Sequence, residues 1–225
     1  MWGRFLDIIA RLKGKTNACR LYERVGKYAS LSPTTICWLH EAEPKKPCPV
    51  SSFFCGADSV IPALNFDAVK EAYCNKTKTP SVPSVDAVLY KGKRFLFVEI
   101  KSWQNFERHQ LEPGDSQTDI RQKIMAQAQG FKLKPKVEKS MEICRNISKD
   151  KHLFNKMPVT YVLVTDVDTI TDPLARFKGR LRALAYKSVY IPLFTSASTA
   201  ELSTVAMNVR YVFCRNFDVF YNELS

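Results

Sequence analysis

Histidine is scarce in this chain of 225 residues: His40, His109 and His152 are all it has. No Gly-x-Ser-x-Gly elbow occurs either. A serine or cysteine hydrolase needs an imidazole base beside its nucleophile, so that class has little support. Lys13-Gly14-Lys15-Thr16 has the ending of a phosphate-binding loop. It lacks the upstream glycine and no strand precedes it, so a P-loop is rejected. No apolar run is long enough to span a membrane. Arg4, Asp7 and Arg11 interrupt the N-terminal apolar residues, leaving no core for a secretory signal. A cytoplasmic, intracellular chain is therefore expected. Its seven cysteines form no Cys-x-x-Cys pair and are expected to be reduced. Cys37-x-x-His40, with Cys48 and Cys55, does offer four ligands for a structural Zn²⁺, but the spacing between its halves is loose and buried free cysteines are the simpler expectation.

Negative charge is also short. Lys and Arg number 34 against 22 Asp and Glu, giving a net charge of +12 and a pI of about 9.4. Such an excess suits a polyanionic partner, because lysine and arginine displace counterions from phosphates. The hydrophobic share of 45% is enough for a packed core. Neither a repeat nor a linker divides the sequence. We expect one domain over 1–225, with its core at roughly 60–195 and a helical, Cys- and Pro-rich elaboration at 1–59.

The richest segment runs from Asp86 to Lys101, Asp-Ala-Val-Leu-Tyr-Lys-Gly-Lys-Arg-Phe-Leu-Phe-Val-Glu-Ile-Lys. Two β-prone runs flank Lys91-Gly92-Lys93, a tight-turn signal in which Gly92 can take a positive φ. Side chains alternate along a strand. With a two-residue loop, even positions of the first strand share a face with odd positions of the second. Asp86, Glu99 and Lys101 then fall on one face, at the end away from the turn. Val85, Ala87 and Leu89 fall on the other with Leu96, Val98 and Ile100, a face that should pack on a helix. Two carboxylates at the end of a buried hairpin are costly without compensation. A hard divalent cation such as Mg²⁺ compensates them, and a lysine at the same spot can orient a water or stabilise charge growing on a phosphate. The bland alternative is a solvated hairpin end.

Asp86 followed, after a twelve-residue gap, by Glu99-Ile100-Lys101 resembles the PD-(D/E)XK nuclease superfamily. The strand entry Pro83-Ser84-Val85-Asp86 departs from the family pattern in that its proline is not adjacent to the aspartate. The resemblance spans about residues 60–170 and rests on three specific positions. It implies a restriction-endonuclease-like α/β fold, a central mixed sheet with helices on both sides. It also implies a metal-dependent nuclease, acting on DNA in preference to RNA. Asp86, Glu99 and the backbone carbonyl of Ile100 would hold Mg²⁺, with Mn²⁺ as a substitute, and Lys101 would act on the attacking water. In that family a preceding helix often adds an acidic residue, here Glu71 with Glu23 second. Gln127 and Phe131 match the spacing of a Gln-x-x-x-Tyr motif of one branch, with a Phe that cannot donate the tyrosine's hydrogen bond. Family members often pair, which implies a homodimer or a subunit of a larger complex. The alternative function is a non-catalytic nucleic-acid-binding or protein-interaction subunit on the same fold.

Elsewhere the spacing predicts helices over 3–13, 18–29, 65–73, 117–131, 137–147, 173–185 and 199–207, with Pro135 breaking the chain between the fourth and fifth. Strands are expected at 34–39, 157–166, 189–194 and 209–214, and a loop over 103–116 with an exposed His109. Lys132, Lys134, Lys136 and Lys139 form one basic cluster. Arg176, Lys178, Arg180 and Arg182 form another. Of all these, Lys132, Lys134, Arg176, Lys178, Arg180 and Arg182, together with Gln127, are the candidate nucleic-acid contacts.

Overall fold

The computed structural model describes residues 15–34, 59–112, 114–165, 190–202 and 207–224. The helix expected at 3–13, the basic helix with Arg176, Lys178, Arg180 and Arg182, and the Cys37, His40, Cys48 and Cys55 set lie outside these residues. So does most of the strand expected at 34–39, of which Thr34 makes an isolated bridge to Ala63.

Five strands form one mixed sheet: β1 (Leu64–Asn65), β2 (Ala87–Lys91), β3 (Arg94–Lys101), β4 (Val159–Thr165) and β5 (Asn208–Phe213). They lie side by side in that order. The first three are antiparallel, and β4 and β5 run parallel to β3. The β2–β3 hairpin closes through Gly92-Lys93, with Lys91 opposite Arg94 and Ala87 opposite Val98. Gly92 takes φ +54°, a conformation that favours a residue with no Cβ. The predicted parity is therefore the observed one.

Both faces of the sheet are covered. One face, with Val88, Phe95, Phe97, Tyr161 and Leu163, packs under α1 (Asn17–Tyr28), α2 (Phe66–Thr77) and α5 (Leu133–Ser148). Helix α1 begins at Thr16, whose side chain accepts from Cys19 N at 3.2 Å, and it turns Ala18, Leu21, Tyr22 and Val25 inward at helical spacing. Thr16 also donates to Gly92 O at 2.5 Å, which fastens α1 to the hairpin turn. The other face, with Ala87, Leu89, Leu96, Val98, Val162, Val164 and Val212, packs on Ile61, Ala63 and Phe217. Phe217 opens α7 (Phe217–Glu223), the helix that the apolar reverse face of the hairpin requires. A third cluster joins α3 (Trp103–Gln110), α4 (Gln117–Gly130) and α6 (Tyr190–Leu202) through Trp103, Phe106, Ile120, Ile124, Ala128 and Ala197.

Four expectations are corrected. Residues 103–110 form a helix within the expected loop, because Trp103 and Phe106, one turn apart, are both buried against α4. Pro135 stands in the first turn of α5, where its missing N–H leaves no helical bond unmade. Of the strand expected at 189–194, residue 189 lies outside the described residues and 190–194 begin α6 instead; Pro192, unfit for a sheet interior, is tolerated in a first helical turn. Val85 precedes β2 and is buried with the face under α1, α2 and α5, away from Ala87 and Leu89. Among the described residues no helix is long and apolar enough to cross a membrane.

Candidate active site

Glu99 sits near the end of β3, the central strand, which is flanked by β2 and β4. Its side chain is fully buried. Asp86 immediately precedes β2 and is held from three sides. Its N–H donates to Val98 O at 3.1 Å, its carbonyl accepts from Phe66 N at 3.0 Å, and its Oδ2 accepts from Ile100 N at 2.6 Å. One residue earlier, Val85 N donates to the buried Ser140 Oγ at 3.0 Å, tying the Asp86 segment to α5. Lys101 ends β3 on the same face as Glu99. Its Nζ lies 2.5 Å from Glu99 Oε1, 3.9 Å from Asp86 Oδ2 and 3.1 Å from the Ile100 carbonyl. Asp86, Glu99, Ile100 and Lys101 are thus brought together as the hairpin predicts.

A fourth side chain completes the cluster. Lys136 reaches down from α5 to donate to Glu99 Oε1 in a short hydrogen bond, with its Nζ 3.7 Å from Asp86 Oδ1. Sequence reading places Lys136 in a surface cluster of lysines. The available signal is its phase: it lies three residues after the buried Leu133 and four before the buried Ser140, on the stripe that α5 turns inward. Its neighbours stay outside. Lys132 is exposed at the positive-φ residue before α5, Lys134 is half-buried, and Lys139 is paired with Glu142 at 2.8 Å on the surface.

Glu99 Oε1 accepts from two ammoniums, whereas Oε2 is buried with no hydrogen-bond partner among the described residues. Burial pushes the Glu99 carboxyl up to about 7, aided by Asp86 and opposed by Lys101 and Lys136. Burial works against the charge on Lys101, but Glu99 and Asp86 outweigh it and hold its pKa above the usual lysine value. Tyr161, on the same face of β4, also has a buried hydroxyl without a hydrogen-bond partner among the described residues. Burial, then the charges of Glu99 and Asp86, push its pKa well up, so the phenol stays protonated within electrostatic reach of the carboxylates.

Phe131 closes one wall. Lys101 Nζ stands 5.6 Å from its ring centroid, and the Trp103 ring meets it edge-on at 5.0 Å. Gln127 is half-buried one turn earlier on α4. Other candidates stay apart. Glu23 is exposed on α1 and paired with Lys15 at 2.5 Å. Glu71 is exposed on α2, and His109 is exposed on α3. Asp67, one turn before Glu71, accepts through its Oδ1 at 2.6 Å from the Oγ of Ser84, two residues before Asp86.

Among the described residues, no group of three or more His, Cys, Asp and Glu side chains could hold a metal by itself. The donor set at this site is two carboxylates and the Ile100 carbonyl. These are hard oxygen ligands, and Mg²⁺ binds through one or two carboxylates while keeping several waters. Glu99 Oε2 supplies an acceptor that no group among the described residues uses. The residues present therefore fit such an ion.

Comparison with protein-family models, with curated proteins and with solved structures gave no match. The functional reading rests on this geometry.

Proposed function

We propose that this chain is a metal-dependent nuclease of the restriction-endonuclease-like type, hydrolysing phosphodiester bonds, with DNA as the preferred substrate. The observation that carries the reading is a fully buried glutamate with one unused oxygen, set beside Asp86 and Lys101 at the open end of a hairpin. Outside a site, leaving a buried carboxylate oxygen unpaired costs about 1–3 kcal/mol or more. Asp86, Glu99 and the Ile100 carbonyl would hold Mg²⁺ or Mn²⁺. When bound, the ion supplies a Lewis acid for the phosphate and an acidified water. Asp86 is kept in position by the Ile100 amide. Lys101, steadied by the Ile100 carbonyl and the Phe131 ring, orients the attacking water or stabilises the negative charge that builds on the phosphate. Lys132 and Lys134, in and just after the turn that follows Phe131, and the basic residues Arg176, Lys178, Arg180 and Arg182 would contact the backbone of an intracellular nucleic acid. The net charge of +12 supports that class of substrate. A homodimer or a larger assembly would place two such sites on two strands.

One observation favours a second reading. Two carboxylates facing two ammoniums make a neutral cluster, as a purely structural ion-pair network on a non-catalytic binding subunit would. Cleavage of supercoiled plasmid, single-stranded DNA and RNA, with Mg²⁺, Mn²⁺ or EDTA, separates the two. Metal-dependent cleavage lost in Glu99→Ala and Lys101→Ala supports the nuclease. Unchanged nucleic-acid binding with no cleavage under any of these conditions supports the binding subunit.

A further inference from the structure

We propose that Lys136 is the resident counter-ion of the metal position, so that its ammonium and a divalent cation are alternative occupants of the space beside Asp86 Oδ1 and Glu99 Oε1. This rests on the reading of the site as a metal site. Three observations support it. Lys136 Nζ pairs with both carboxylates, Glu99 Oε1 and Asp86 Oδ1, and no backbone carbonyl or ring among the described residues braces it. Lys101, in contrast, is also held by the Ile100 carbonyl and lies against the Phe131 ring. Lys136 comes from α5, a separate element from the hairpin, on a flexible four-carbon stem whose side chain is 19% exposed and so has a way out.

Charge decides the competition. Two carboxylates and two ammoniums balance. Adding a doubly charged ion without losing an ammonium would leave a net charge of two in a mostly buried site, where like charges a few ångströms apart repel strongly. Lys101 is braced on backbone and ring, so Lys136 is the group that leaves. Its departure lets Glu99 offer both oxygens to the ion and turns an ammonium toward the mouth of the site. Lys136 is thus a positioning residue, which keeps Asp86 and Glu99 assembled until the metal arrives.

The test is direct titration of Mn²⁺ at pH 8, by calorimetry and by the electron spin resonance of free Mn²⁺. It compares the full-length wild type with Lys136→Met, Lys136→Gln and Lys139→Met. Removing the competing charge should tighten Mn²⁺ binding by about tenfold or more in both Lys136 variants. Lys139→Met, which removes an exposed lysine one turn away, should bind as wild type does. Lys136→Gln retains a hydrogen-bond donor for Glu99 and serves where Lys136→Met does not fold. Equal or weaker binding in the Lys136 variants overturns the counter-ion role while leaving the metal site standing. Absence of Mn²⁺ binding in the wild type and both Lys136 variants overturns the metal reading and this inference together.

Discussion

Glu99 sets two opposing effects against each other. Burial and the neighbouring Asp86 favour its protonated form, whereas Lys101 and Lys136 favour the carboxylate. Burial wins, and the folded-state pKa is about 7 against an ordinary 4.5. The folded protein therefore holds this proton between pH 4.5 and 7 while the unfolded chain gives it up. Its stabilising contribution is complete below the unfolded value and is lost as pH rises through the folded one. The gap of about 2.5 pH units, at about 1.36 kcal/mol each, amounts to roughly 3 kcal/mol. Glu99→Gln keeps the shape, still accepts from both lysines and cannot titrate. Urea unfolding of both proteins at pH 4.5, 6, 7 and 8 isolates the effect. Wild type should lose roughly 3 kcal/mol relative to Glu99→Gln between pH 4.5 and 8, with the loss levelling off above 7. A difference that stays flat, or a wild type that gains on the variant as pH rises, would mean that the two ammoniums outweigh burial, and the reasoning would be refuted.

Lys136→Met strips a buried carboxylate of one of its two cations and should cost about 1–3 kcal/mol in urea unfolding near neutral pH, limited because Glu99 can retain its proton. Lys139→Met is the control and should leave the unfolding midpoint unchanged. Ser140→Ala removes the acceptor of the Val85 amide, leaving a buried donor unsatisfied beside Asp86, and should lower stability by about 1–3 kcal/mol in the same assay. Trp103→Ala opens a cavity where α3 meets Phe131, and a loss of about 3–5 kcal/mol in thermal or urea unfolding is expected. A loss under about 1 kcal/mol would show that the α3 helix is not packed as described. Gly92→Ala forces a Cβ into positive φ in the hairpin turn and should cost about 1 kcal/mol, read as a lower melting temperature.

Local pattern alone determined the hairpin, its turn at Gly92 and the shared face of Asp86, Glu99 and Lys101. Strand alternation has a period of two and the loop length sets the pairing, so sixteen consecutive residues contain the geometry. Apolar spacing likewise revealed α1, α2, α4 and α5 and the buried strand β4, and Asn65 marked the start of α2 as its cap. Where two local signals conflicted, docking decided between them. The stretch after Trp103 has loop character, yet it is helical because Trp103 and Phe106 fit against α4 and Phe131. Residues 190–194 have strand character, yet they form the start of α6.

The composition of the site needed the tertiary structure most. Four lysines within eight residues look alike in sequence, and only the docking of α5 on the sheet brings Lys136 to a carboxylate 37 positions earlier. The burial of Glu99 has the same origin. An Asp-then-Glu-x-Lys spacing says that charges share a face. Whether that face meets water or the underside of a helix is fixed by packing, and packing turns ordinary carboxylates into a buried glutamate held by two ammoniums with one oxygen left over.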